Sequence, residues 1–387
     1  MAVCYLIIID GLGVGAQEDA HIYGDQGSNT LGHVTARTGC RLPELQKLGI
    51  GNIIPLDSVP PVWDPGAAYG KMREKSPGKD STTGHWEIAG IQLDRPFPTY
   101  EQGFPLEVID TFCRLTGNKG VLANKPASGT AVIDEFGKEH QKTGMPIVYT
   151  SADSVFQVAC DVDTVSLETL YDWCEIARKE VMVGKHAVGR VIARPFTGNP
   201  GSYRRLSEQR HDYSLEPAKP ALPDFLQKQG IETISIGKVI DLFADKGFNR
   251  ALRTKSNAEG IEKLLHVMKS ITEGFVFVNL IETDQEFGHR NDITGFAGAM
   301  EDIDRAVPEI LHALGADDLL IITGDHGNDP AMPSTDHSRE FTPLLVYPGV
   351  RASETELPTR ESFSDIAVSI SCFYDLDHPF PGTSFIK

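Results

Sequence analysis

Three apolar runs, far apart in the chain, have the same form and close on an aspartate. They are Tyr5-Leu-Ile-Ile-Ile-Asp10, Phe275-Val-Phe-Val-Asn-Leu-Ile281 leading through Glu282 and Thr283 to Asp284, and Leu319-Leu-Ile-Ile322 leading through Thr323 and Gly324 to Asp325. Uninterrupted rather than alternating hydrophobicity marks strands buried on both faces, as in a parallel sheet covered by helices. A fourth run, Pro343-Leu-Leu-Val-Tyr-Pro348, is bracketed by prolines, and helical stretches at 258–272 and 296–314 lie between the runs. The alternation of β and α segments predicts an α/β sandwich. With 387 residues the chain exceeds one ordinary domain. From about 100 to 217 its character changes: strand-like pieces at 147–151 and 189–194 and an amphipathic stretch at 167–181 are joined by long polar turns. The proline-rich segment 216–223 has the composition of a linker. The expected layout is a discontinuous core domain, 1–99 with 218–387, and an inserted α/β cap domain, 100–217.

In open α/β sheets, ligands gather outside the carboxyl ends of the strands. Three carboxylates brought there would repel one another unless cations offset them. Histidines lie nearby in sequence, His289 after Asp284, His326 after Asp325, and His337. Taken singly, an aspartate after a strand is a turn or capping residue and a histidine is an ordinary surface or core residue. Recurrence at the ends of several buried strands is what points to a common site. Mixed carboxylate and imidazole donors suit Zn²⁺, Mn²⁺ or Fe²⁺ better than Ca²⁺. Six donors divide well between two ions, and two divalent ions outweigh three carboxylates, leaving a positive pocket suited to a phosphoryl group. Adjacent side chains on a strand face opposite ways, so Asp325 and His326 can share a site only on the turn beyond the strand.

Two further motifs bear on phosphate. Gly11-Leu-Gly-Val-Gly15 follows a strand, but the full dinucleotide pattern GxGxxG is absent because position 16 is alanine. Gly78-Lys-Asp-Ser-Thr-Thr-Gly-His-Trp-Glu87 places three hydroxyls before a helix expected to start near Gly84, without meeting the S/T-x-x-E/Q capping box. A hydroxyl at a helix N-terminus is well placed to carry phosphate, because free N–H groups and the helix dipole favour negative charge. A serine or threonine is a weak nucleophile until a base or metal activates it.

These segments, together with Asn124-Lys-Pro-Ala-Ser-Gly-Thr130, Tyr149-Thr-Ser-Ala-Asp-Ser154, Val188-Gly-Arg-Val-Ile-Ala-Arg-Pro195, Arg210-His-Asp-Tyr213, Leu252-Arg-Thr-Lys-Ser-Asn257 and Gly324-Asp-His-Gly-Asn-Asp-Pro330, closely resemble the phosphopentomutases of the alkaline phosphatase superfamily. The resemblance covers nearly the whole chain. It implies an alkaline-phosphatase-like α/β core with a mainly parallel central sheet flanked by helices, plus the inserted cap. It also implies an isomerase that interconverts the 1- and 5-phosphates of ribose and deoxyribose through a phosphorylated enzyme and a 1,5-bisphosphate, primed by a sugar bisphosphate. By the same resemblance, one Mn²⁺ is held by Asp10, Asp325 and His326, and the other by Asp284, His289 and His337. The phosphorylated residue maps to Ser81, with Thr82 as the second choice. Asp153 for sugar hydroxyls, Arg190, Arg194 and Arg210 for a phosphate, and Lys238 from the core are the candidate substrate contacts. Two positions depart from the family pattern. Ser81 stands where threonine is usual, and Glu282 where aspartate is usual; alternation along a strand would aim Glu282 to the side of Asp284.

Composition narrows the alternatives. Fifty-four acids against thirty-six bases give a net charge of −18, which disfavours nucleic acid as a partner. No apolar run approaches the ~20 residues of a membrane span, Val3–Ile9 is too short for a signal peptide, and six scattered cysteines without a CxxC pair fit reduced thiols. A cytoplasmic enzyme acting on small pentose phosphates is expected. A metal-dependent phosphatase or another phosphosugar mutase on the same fold is the enzymatic alternative. A silent metal-binding protein is the non-enzymatic one, against which stand six intact ligand positions and a hydroxyl.

Overall fold

The computed structural model describes residues 2–151 and 154–387. They form two compact units, Met1–Arg95 with Pro217–Lys387, and Pro96–Glu216. The boundaries thus fall at prolines 96 and 217, a few residues from those expected after 99 and 217.

The first unit is built on seven strands: β1 Val3–Ile9, β2 Ala68–Met72, β3 Thr233–Ile236, β4 Arg250–Leu252, β5 Gly274–Leu280, β6 Leu319–Thr323 and β7 Thr342–Tyr347. Their order across the sheet is β4-β3-β5-β1-β6-β7-β2. The strands from β4 to β6 run parallel, and β7 and β2 add an antiparallel edge. The three long apolar runs are the three central strands, β5, β1 and β6. Every residue of β1 is buried. Val3, Tyr5, Ile7 and Ile9 join a core with Leu31 and Val34 of one helix and Phe296, Met300, Ile303 and Val307 of the long helix Ile293–Ala313. Cys4, Leu6 and Ile8 are buried on the opposite face, where Phe277 packs with both Phe275 and Phe243. Each such aliphatic side chain contributes about 1.5–3 kcal/mol relative to exposure, so helices on both faces are needed to realise the gain.

Several elements differ from expectation in their bounds. The helix carrying the three hydroxyls starts at Ser81, not near Gly84, because Asp80 caps it by accepting from the backbone N–H of Thr83 at 3.1 Å. The apolar run before Asp284 ends as a strand at Leu280, and Asp284 lies in a separate wide helical turn, Thr283–Phe287. Strands β2, β3 and β4 are short, and their sequence carried no run long enough to mark them.

The second unit holds a mixed six-stranded sheet. Along its strand Val155–Asp161, Phe156, Val158 and Cys160 enter one apolar cluster with Phe112 and Trp173, while Ala159 enters another with Val132 and Phe196. This is the two-residue period of a strand covered on both faces. All six cysteines are unpaired, and among the described residues no helix is long and apolar enough to cross a membrane.

Candidate active site

Four neighbouring parallel strands each deliver a charged residue just past their carboxyl ends. Lys238 follows β3, Asp284 follows β5, Asp10 follows β1 directly, and Asp325 with His326 follows β6. Asp325 and His326 sit on the turn after Thr323, beyond the last paired residue, so the strand's alternation no longer separates them. Gly324 makes this turn possible, since a Cβ there would lie 2.3 Å from the carbonyl oxygen of Leu12.

The donor atoms converge in two groups whose members all lie within 4.8 Å of one another: Asp10, Asp325 and His326, and Asp284, His326 and His337. His326 belongs to both. His289, expected to complete the second group, is the more exposed member. Its Nε2 lies 3.2 Å from His337 Nε2 and 3.5 Å from Asp284 Oδ2. Two observations test whether this set fits metal ions. His326 Nδ1 faces the Gly327 carbonyl at 3.0 Å and His289 Nδ1 faces the Thr335 carbonyl at 2.7 Å. If each Nδ1 carries the donated proton, each Nε2 lone pair is directed into the site. In addition, Asp10 Oδ1 is buried with no hydrogen-bond partner 3.4 Å from His326 Nε2, and Asp325 Oδ2 lies 3.3 Å from the same nitrogen. Buried carboxylate oxygens left unpaired beside an imidazole lone pair are costly unless a cation joins them, so the residues fit the group.

The charges are tightly balanced. Burial, then the neighbouring Asp325, pushes the Asp10 carboxyl up, with Lys238 opposing. Burial would also raise Asp284 and Asp325. His337 and His289 nonetheless hold Asp284 well below the usual carboxylate range, and His326 and His85 do so for Asp325. Desolvation works against the Lys238 ammonium, yet Asp10, Asp284 and Asp325 outweigh it and raise its pKa. Lys238 Nζ lies 2.6 Å from Asp10 Oδ2.

The same ammonium donates to Ser81 Oγ at 3.0 Å, and Ser81 Oγ lies 3.0 Å from His326 Nε2. The other two hydroxyls differ: Thr82 is buried, and Thr83 donates to Asp80 Oδ2 at 2.5 Å. Ser81 is the first residue of its helix, the end whose dipole favours an anion, with the Thr83 and Gly84 N–H groups already bonded to Asp80. Gly84 lets this helix lie against the Asp325 turn, because a Cβ at Gly84 would meet the Asp325 carbonyl oxygen at 2.1 Å. Gly84→Ala is therefore expected to push the helix off the turn and lower kcat about 100-fold, the scale of a 1 Å misplacement. An unchanged kcat in steady-state assays would show that the contact does not set the geometry.

Some functional neighbours were not legible in sequence. The fully buried His85 places Nδ1 2.9 Å from the Ser81 carbonyl and 3.1 Å from Asp325 Oδ2. Asn279 and Asn328 donate to Asp10 Oδ2 at 2.9 Å and to Asp284 Oδ1 at 2.7 Å. Asn279 interrupts an apolar strand, which is the one local signal it offered. Glu282 does not face Asp284: its carboxylate accepts from the Asn257 backbone N–H at 2.5 Å, and its own N–H donates back to Asn257 Oδ1 at 3.1 Å. It is thereby tied to the first residue of the helix Asn257–Met268, whose cap is Ser256, because the strand whose alternation would have aimed it inward has already ended.

Asp153 lies outside the described residues. In the second unit, Arg190 and Arg194 are on one face of the strand Arg190–Thr197, opposite Val191 and Ala193 in the apolar core. Arg210 forms a fork to Asp212 through Nε and Nη2, both at 2.6 Å, and Arg190 reaches Asp212 at 3.4 Å. Burial would raise the Asp212 carboxyl, but Arg210, Arg190 and Arg194 hold it low. Arg194 Nε donates to Gln157 Oε1 at 3.0 Å.

A family model described as the metalloenzyme superfamily matches residues 2–377. The chain is 50% identical over 382 residues to a phosphopentomutase of Caldanaerobacter subterraneus subsp. tengcongensis, covering 99% of this chain and 96% of the relative. It is 48% identical over 382 residues to a phosphopentomutase of Thermotoga maritima, covering 98% and 97%. Among solved structures, a phosphoglycerate mutase of Leishmania mexicana aligns with a TM-score of 0.52 at 11% identity, covering 99% of this chain and 97% of that one. The PH0037 protein of Pyrococcus horikoshii aligns with a TM-score of 0.50 at 17% identity, covering 98% and 99%. These distant structures share the fold. The sequence relatives decide the family: this chain belongs to the phosphopentomutases, isomerases of the metalloenzyme superfamily with an alkaline-phosphatase-like α/β fold.

Proposed function

We propose that this chain is a cytoplasmic phosphopentomutase of nucleoside salvage. In this proposal it interconverts the 1- and 5-phosphates of ribose and 2-deoxyribose through phosphorylated Ser81 and a 1,5-bisphosphate. The observation that carries the proposal is the position of Ser81 Oγ, 3.0 Å from both His326 Nε2 and Lys238 Nζ at the start of a helix. Two divalent ions, taken as manganese, would be held by Asp10, Asp325 and His326 and by Asp284, His289 and His337, and would supply Lewis-acid stabilisation of the transferring phosphoryl group.

Ser81, primed by a sugar bisphosphate, passes its phosphoryl group to the free hydroxyl of an incoming pentose monophosphate. The hydroxyl oxygen forms the new P–O bond as the bond to Ser81 Oγ breaks, and the hydroxyl proton ends on the departing Oγ. The resulting 1,5-bisphosphate returns its other phosphate to Ser81 and leaves as the isomeric monophosphate. Throughout, the Lys238 ammonium faces Oγ and offsets the charge of the bound phosphate, and the positive end of the helix dipole at Ser81 favours its oxygens. Asp80 holds that turn through Thr83. Arg190, Arg194 and Arg210 are the proposed phosphate-binding residues of the second unit, and Asp153 the proposed contact to sugar hydroxyls.

The test supplies ribose 1-phosphate with Mn²⁺ and a trace of sugar bisphosphate. Ribose 5-phosphate is the expected product. Release of inorganic phosphate without it would identify a phosphatase, and absence of both products with no bound metal would identify a silent protein.

A further inference from the structure

Arg339 lies two residues after His337 and is buried, with its side chain only 3% exposed. Its guanidinium uses every edge. Nη1 donates to the carbonyl oxygens of Ser76 and Gly78, both at 2.7 Å, and to Glu74 Oε2 at 3.0 Å. Nη2 donates to the Glu74 carbonyl at 2.8 Å and to Asp19 Oδ2 at 3.0 Å, and Nε reaches Asp19 at 3.2 Å. Its backbone N–H donates to Asp25 Oδ2 at 2.9 Å, and the same carboxylate takes Lys79 Nζ at 3.2 Å. The segment gripped in this way, 74–79, leads directly into Asp80 and Ser81. On the other side, Ser338 and Gly327 exchange backbone hydrogen bonds at 2.8 and 3.0 Å, which ties the stretch carrying His337 and Arg339 to the turn carrying Asp325 and His326.

A buried guanidinium surrounded by carboxylates is a poor device for stability alone, since desolvation consumes most of what its ion pairs return. What its rigid fork supplies is a fixed geometry between the segments it joins. We propose that Arg339 is a positioning residue for phosphoryl transfer, holding segment 74–79, and with it Ser81, in register with the His326 and His337 loops. This rests on Ser81 being the phosphate acceptor.

The test measures single-turnover phosphorylation of Ser81 by ribose 1,5-bisphosphate, in which Oγ gains the phosphoryl group and the sugar leaves as a monophosphate. It is run below the onset of unfolding on wild type, Arg339→Gln, Arg339→Lys and Val307→Ala, a core variant that lowers the melting temperature from outside the site. Arg339→Gln is expected to slow phosphorylation and kcat together about 100-fold, with KM and metal content unchanged. Arg339→Lys, whose single ammonium serves only some of the acceptors, should be slowed about tenfold, and it carries the test if Arg339→Gln does not fold. Wild-type phosphorylation rates in the folded Arg339 variants overturn the proposal, as does equal slowing in Val307→Ala. No phosphoserine in the wild type would instead overturn the assignment of Ser81.

Discussion

Ser81→Ala is expected to abolish the phosphorylated enzyme and to lower mutase turnover by at least about 10⁴-fold, the scale on which hydroxyl nucleophiles contribute. The substitution removes one oxygen and its hydrogen bonds to His326 and Lys238, while the cap at Asp80 and the fit of Gly84 against Asp325 remain. Helix position and metal content should therefore be preserved, and loss of activity would not reflect loss of fold. Intact mass spectrometry checks it directly: a gain of about 80 Da, one phosphoryl group, is expected in the wild type after incubation with bisphosphate and not in the variant. Persistence of that mass in Ser81→Ala would move the acceptor role to Thr82. Ser81→Thr restores a hydroxyl with a methyl that narrows its rotamers, and it should keep most of the turnover.

The second large effect concerns His326. Among the described residues it is the one member common to both convergent groups, whereas His289 stands at the margin of the second. His326→Ala is expected to weaken the position held with Asp10 and Asp325 and lower turnover by about 10³-fold or more. His289→Ala should weaken one position only, by about 10–100-fold in affinity, and be rescued by added metal. Titration of the two apo variants with Mn²⁺, read by calorimetry, separates these outcomes. Loss of the Asp284 position in His326→Ala as well would show that His326, and not His289, completes that group.

The parallel core was legible because strands buried on both faces must be apolar along their whole length, and β1, β5 and β6 are. Their acids were legible because a charge at the end of such a run has no place inside the sheet. The edge was not: β2 alternates buried with half-buried residues over five positions, and β4 has only three, too few for periodicity to stand out. Nor could local patterning show that the helix begins at Ser81. That boundary depends on the Asp80 side chain bonding to Thr83, and the helix can lie where it does only because Gly84 meets the Asp325 carbonyl. Glu282 shows the converse: strand alternation stops at Leu280, so its carboxylate turns to Asn257 and not to Asp284.

By itself the sequence determined the chemical inventory and the strand ends that carry it, because hydrophobic runs and the residues closing them are local properties of the chain. Tertiary structure alone decided that His326 stands between the two groups of ligands, that Lys238 reaches both Asp10 and Ser81, and that Arg339 braces the segment leading to Ser81. Those relations join residues tens to hundreds of positions apart. They are set by the order in which strands pair and by the close approach of one backbone to another, neither of which leaves a periodic mark on the sequence.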